Sequence, residues 1–160
     1  MKFIKSLKRW TNCEKIFMKY LSDYEWLITL EQSNGRFPDW DIKMTYAKHY
    51  ETVEDEIKTA TYEVKSDRLS EQSGNFCIEF YNTKQEKPSG IVSSKADYYV
   101  YFADGKWRIA KRDELLVKLI QEQNKDIRDG GNNNSRMVIL PVEKLPEYFQ
   151  EIPELTEIPE

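Results

Sequence analysis

Glu63 and Lys65 stand two residues apart in the run from Thr59 to Lys65, which is rich in β-branched and aromatic residues. Side chains alternate along a strand, so a strand here sends Glu63 and Lys65 to one face and Tyr62 and Val64 to the other. Alone, an acid and a lysine on one face are an ordinary solvated pair. Asp41 changes the reading, because it falls on the preceding predicted strand and a hairpin would bring it beside Glu63. Asp39 shares the face of Asp41, so alternation leaves both open. Two carboxylates from adjacent strands form a hard-oxygen site suited to Mg²⁺, which keeps several of its waters. A lysine beside such a water orients it, and the ion stabilises charge building on a phosphate. Glu63 and Lys65, with Asp41 or Asp39 as the partner carboxylate, are therefore the expected site, the two acids as metal ligands and the lysine beside the water.

The elements that must position these residues can be read around them. Cys13, Ile16, Phe17, Tyr20 and Leu21 recur at helical spacing, predicting a helix over about 12–22. Thr11 and Glu14 have the spacing of a capping box at its start. Strands are expected at Trp26–Leu30, Trp40–Tyr46, Thr59–Val64, Phe76–Tyr81, Tyr98–Phe102, Trp107–Ala110 and Met137–Leu140. The acidic run Glu51–Glu56 reads as a hairpin tip. Asp104-Gly105 is a strong hairpin turn, and Asp113–Gln123 a second helix. Ser33-Asn34-Gly35 reads as a turn and Gly130–Ser135 as a loop. The pattern is mixed α/β around a largely β centre. The length of 160 residues suits one domain, expected over 1–149, with 150–160 an acidic, proline-containing tail.

Secondary candidates flank the central set. Asp67 shares the face of Glu63 and Lys65 if that strand continues; it either assists the site or ends the strand. Glu79 faces away from Phe76, Ile78 and Phe80 and, on the strand expected next to that of Glu63, either borders the site or is a surface residue. Lys87-Pro88-Ser89-Gly90 carries donors that suit phosphate, or is a plain turn. Lys87, Ser89 and Lys95 are the expected DNA contacts. The basic N-terminus (Lys2, Lys5, Lys8, Arg9) reads equally as a backbone-contacting patch or a solvated end. His49 is the single histidine, so no two-histidine metal site or histidine relay can be built, and a surface role is expected. Tyr98, Tyr99, Tyr101 and Phe102 read as sheet packing at least as readily as base stacking. Cys13 and Cys77 share no metal-type spacing and read as small reduced core residues.

Bulk properties neither require nor forbid a nucleic-acid partner. The net charge is −4, but six glutamates and only one lysine lie between Val142 and Glu160. The remainder is close to neutral, and the acidic end would screen a basic face. No apolar run approaches the roughly 20 residues of a membrane span, and the N-terminus lacks the apolar stretch of a signal peptide. A cytoplasmic protein without membrane association is expected.

Pro38-Asp39-Trp40-Asp41 followed by Glu63-Val64-Lys65 resembles the motif of the PD-(D/E)xK nuclease superfamily. The longer runs Tyr62–Arg68, Gly74–Phe80, Lys87–Ile91 and Lys95–Tyr99 resemble a group of small phage-type nucleases within it. The resemblance covers roughly Glu14 to Phe102. It implies a restriction-endonuclease-like core, a central mixed β-sheet flanked by helices, with DNA as substrate and Mg²⁺ as cofactor, Mn²⁺ substituting. It implies a host-cytoplasmic setting if the chain is viral. Asp41 matches the metal-binding aspartate, with Asp39 its rival because it follows the proline directly. Glu63 matches the second ligand, Lys65 the catalytic lysine, and Glu14 an acid that some members use to hold a metal water. The segment between Asp41 and Glu63 is longer than in many members. Two alternatives stand beside a DNA nuclease. One is a non-catalytic DNA-binding or protein-interaction domain on the same scaffold. The other is a branched-DNA (Holliday junction) resolvase, with which a homodimer would be expected.

Overall fold

The structure, a computed structural model, describes residues 2–34, 39–51, 53–67, 70–130 and 134–160, with the side chains of 2–8 and 10 left aside. Gly35 and Pro38 of the expected turn and motif lie outside the described residues, as do the side chains of Lys2, Lys5 and Lys8 in the basic N-terminus. In chain order the elements are α1 (Lys2–Ser22), β1 (Leu27–Gln32), β2 (Ile42–Lys48), β3 (Glu56–Asp67), α2 (Ser70–Ser73), β4 (Asn75–Asn82), β5 (Lys87–Pro88) and α3 (Gly90–Ser93). There follow β6 (Tyr98–Ala103), β7 (Lys106–Lys111), α4 (Arg112–Gln121), β8 (Asp126–Asp129), β9 (Ser135–Pro141), a 3-10 turn (Val142–Lys144), α5 (Leu145–Tyr148) and β10 (Gln150–Glu151).

Among the described residues the strands form two sheets. The larger runs β1-β2-β3-β6-β7-β10 and the smaller β5-β4-β9-β8. The larger is mixed: β3 and β6 pair in parallel, and its other pairs are antiparallel. β6 is buried along nearly its whole length, as a strand covered on both faces must be. On one face, Cys13, Ile16, Phe17 and Leu21 of α1 pack on Ile42, Met44, Tyr62, Val64, Val100 and Phe102. Each such fully buried large side chain contributes about 1.5–3 kcal/mol. On the other face, Tyr99, Tyr101 and Ala103 pack on Phe76 and Ile78 of β4, Val138 and Leu140 of β9, and Leu115 and Leu119 of α4. The molecule is thus α/β, a mixed sheet flanked by helices and backed by a second sheet. The turn at Asp104-Gly105 has both residues at positive φ, 51° and 72°, as the tight hairpin requires.

Three local expectations are corrected. The first helix begins at Lys2, about ten residues earlier than the apolar stripe suggests; Thr11 and Glu14 are therefore interior, and their capping-box spacing caps nothing. The strand carrying Glu79 belongs to the second sheet and is not the neighbour of β3. Residues 150–160, expected as a tail, lie along the core. β10 pairs with β7, Ile152 is buried, Trp107 Nε1 donates to the Glu157 carbonyl at 2.7 Å, and Asn12 Nδ2 donates to that of Glu160 at 2.9 Å. None of the described helices is long and apolar enough to cross a membrane.

Candidate active site at the fork of strand β3

β3 changes partners along its length. Its first part pairs with β2, ending at Ile42 opposite Tyr62; its second part pairs with β6, starting at Tyr62 opposite Tyr98. Beyond Tyr62, β2 has ended, and the amides of β3 on that side lose their strand partner. Asp41 fills the gap twice. Its amide donates to the Tyr62 carbonyl at 2.9 Å, and its Oδ2 accepts from the Val64 amide at 2.7 Å. On the opposite side, before β6 begins, Asp97 Oδ2 accepts from the Thr61 amide at 2.9 Å. The fork is thus bracketed by two aspartates standing in for missing ladder bonds, which is how buried backbone groups stay satisfied where strands part.

This arrangement puts Asp41 beside the Glu63 and Lys65 side chains. Lys65 Nζ and Glu63 Oε1 are 2.7 Å apart, with the Glu63 side chain only 13% exposed. Burial pushes the Glu63 carboxyl up; Lys65 opposes the shift, and the Asp41 charge adds to it. Burial also raises Asp41, against the Val64 amide and Lys65, which hold it down. From α1, Glu14 joins the same field. Its Oε2 accepts from Gln32 Nε2 at 2.8 Å, and burial raises its carboxyl, with Asp41 adding to the shift and Lys65 opposing it. Three partly desolvated acids and one lysine are therefore near enough at the edge of the fork to feel one another's charge. Such an excess of buried negative charge favours a divalent cation.

No protein-family model matches the chain, and comparison with curated proteins and with solved structures yields no match either. The reading of the site therefore rests on its own geometry.

Among the described residues, no three His, Cys, Asp or Glu side chains are gathered closely enough to hold an ion by themselves. The fit to Mg²⁺ rests on two carboxylates plus water, the usual manner for this ion. Asp41 uses Oδ2 on Val64 and Glu63 uses Oε1 on Lys65, while the second oxygen of each has no hydrogen bond among the described residues. Hard oxygens with an open lone pair are the donor set Mg²⁺ takes.

The remaining candidates divide. Asp39 is turned outward, 57% exposed, with its Oδ2 3.4 Å from Lys95 Nζ, and its carbonyl accepts from the Lys95 amide; the two candidates are tied to each other outside the Glu63–Lys65 pair. Asp67 does lie on the face of Glu63 and Lys65, but it is buried. Its Oδ1 accepts from the Ser70 amide at 3.0 Å and its Oδ2 from that of Cys77 at 2.9 Å. Glu79 is exposed on β4 yet lines, with Lys65, Tyr99 and Gly90, a cavity of about 210 Å³ between the two sheets. Lys87 is exposed on β5. The Ser89 amide donates to the Phe80 carbonyl, and Ser89 Oγ is buried with no partner among the described residues. Gly90 follows at φ +53°, where a Cβ would fall 2.1 Å from the Glu79 carbonyl oxygen; only glycine permits α3 to approach β4 this closely. His49 pairs with Asp55 at 2.7 Å and stacks on Trp26, partly exposed near the β2–β3 hairpin. Sequence reasoning passed over Asp97 and the particular position of Tyr99. Tyr99 lies opposite Glu63 in the parallel ladder, a register that no local pattern reveals.

Proposed function

We propose that this protein hydrolyses phosphodiester bonds in DNA with Mg²⁺, on a restriction-endonuclease-like core of the PD-(D/E)xK type. The observation that carries this reading is the convergence at the fork of β3 of Asp41, which immediately precedes β2, with Glu63 and Lys65 of β3. Asp41 and Glu63 would hold the ion, and Glu14 would hold one of its waters. The chemistry the bound ion supplies is stabilisation of charge on the phosphoryl oxygens and acidification of a coordinated water. Lys65 Nζ, already fixed against Glu63, orients the attacking water. Glu63 keeps that ammonium in place, and the Val64 amide prevents Asp41 from swinging away. Lys87 and Lys95 are the groups proposed to meet the DNA backbone, and such phosphate contacts are sequence-independent.

Plasmid, linear, single-stranded and branched DNA incubated with Mg²⁺ or Mn²⁺, with and without chelator, test the activity. Ion-dependent cleavage of at least one substrate is expected. Calorimetry with Ca²⁺ tests the ligands: an ion-binding isotherm is expected for the wild type and its loss in Glu63→Ala. Absence of both cleavage and ion binding would favour a non-catalytic domain instead. Preferential cutting of branched DNA by a dimer would specify the resolvase role.

A further inference from the structure

Tyr99 and Tyr101 sit two apart on β6, facing the same side and opposite Glu63 and Lys65 of β3 respectively. Both are buried, at 2% and 5% exposure. Tyr101 behaves as a buried tyrosine should: its hydroxyl donates to the Cys77 carbonyl at 2.6 Å. Tyr99 does not. Its hydroxyl is buried with no hydrogen bond among the described residues, although the Ser94 hydroxyl stands close by. The same side chain lines the cavity of about 210 Å³ that holds Lys65 and Gly90 and reaches the surface at Glu79. A donor left idle in the protein interior is destabilising unless something meets it. Here the cavity that Tyr99 lines shares Lys65 with the candidate active site.

We propose that the Tyr99 hydroxyl is a substrate-binding donor, meeting a non-bridging oxygen of the phosphodiester held next to Lys65. This rests on the nuclease reading above. A neutral phenol suits the position: it donates to an anionic oxygen without adding a fixed charge beside Lys65. Arg112 supports the same wall, donating from Nε to the Ile91 carbonyl at 2.9 Å and from an Nη to that of Val92 at 2.7 Å, which ties α3 to the start of α4.

The test is Tyr99→Phe, assayed by single-turnover cleavage at saturating DNA with Mg²⁺, beside its melting temperature and its Ca²⁺ isotherm. The expected result is cleavage slower by about 10²-fold, the effect of losing one preorganised donor to a reacting oxyanion, with Ca²⁺ binding retained and the melting temperature equal or higher. Wild-type activity with an equally active Tyr99→Phe overturns the proposal and leaves the nuclease reading standing. A lowered melting temperature also overturns it, since the hydroxyl would then serve the core. A wild type that cleaves nothing overturns the nuclease reading and this proposal together.

Discussion

The Val64 amide donates to Asp41 Oδ2 at 2.7 Å. This one bond continues the β2–β3 ladder past the end of β2 and places the carboxylate beside Glu63 and Lys65. Asp39, two residues earlier, is tied to Lys95 outside that cluster. Substituting the two aspartates should therefore separate them. Asp41→Asn keeps an oxygen for the Val64 amide, so the fold should hold, while ion binding and cleavage fall by 10²-fold or more, a loss of about 2.7 kcal/mol or more in barrier terms. Asp39→Asn should leave cleavage within a few-fold of wild type. Comparing the two initial rates, and the Ca²⁺ isotherms, decides the assignment; equal losses in both variants would count against it.

Acid should silence the site. Burial raises the carboxyls of Asp41, Glu63 and Glu14 above the ordinary carboxylate range, so the folded protein binds their protons more tightly than the unfolded chain does. Stability from this source is fully present below the unfolded carboxylate range and is lost as pH rises through the raised folded values. Ion binding needs the ionised forms and runs the other way. The acidic limb of cleavage against pH should lie above the ordinary carboxylate range. Without metal, Asp41→Asn should gain melting temperature over wild type as pH rises from that range to neutrality. An acidic limb at the ordinary carboxylate value would contradict both.

Asp67 belongs to the same face as the site but has both oxygens on backbone amides, that of Ser70 buried and that of Cys77 partly so. Asp67→Ala should lower stability by about 2–4 kcal/mol, from two orphaned amides and two lost charge-assisted bonds, measured by urea denaturation. The folded fraction should keep its cleavage rate. A stable but inactive variant would move Asp67 into the catalytic set.

The C-terminal stretch is expected to stabilise the fold. Removing residues 150–160 takes away β10 and the buried Ile152. The burial of that one side chain is worth about 2–3 kcal/mol, a drop of about 5–10 °C for a domain of this size. An unchanged thermal transition in the truncated chain would show that the docking contributes nothing.

Much of the positioning framework was legible before any coordinates. The strand at Tyr62–Lys65 could be read because alternation and β-branching coincide there, and that alternation put Glu63 and Lys65 on one face. The hairpin at Asp104-Gly105 carried its own turn chemistry. What stayed hidden was non-local. β4 looks like any other strand, and nothing in Phe76–Asn82 says that it pairs with β9 in a separate sheet. The parallel register that sets Tyr99 opposite Glu63 depends on a crossover of thirty residues, β3 to β6. β8 is short and its side chains are all exposed, so it carries no apolar signal. Thr11 and Glu14 misled because their capping-box spacing also occurs inside a continuous helix. The last eleven residues read as a tail because glutamate and proline dominate, while the contacts that dock them are scattered single side chains and backbone carbonyls.

The central claim is that Glu63 and Lys65, with Asp41, perform ion-dependent phosphodiester hydrolysis. The most direct measurement is single-turnover cleavage of end-labelled DNA with Mg²⁺ by wild type and by Lys65→Ala, with circular dichroism confirming that both are folded. The account predicts clear cleavage by wild type, abolished by chelator, and a loss of at least about 10²-fold in the variant. Equal cleavage by a folded Lys65→Ala would contradict it.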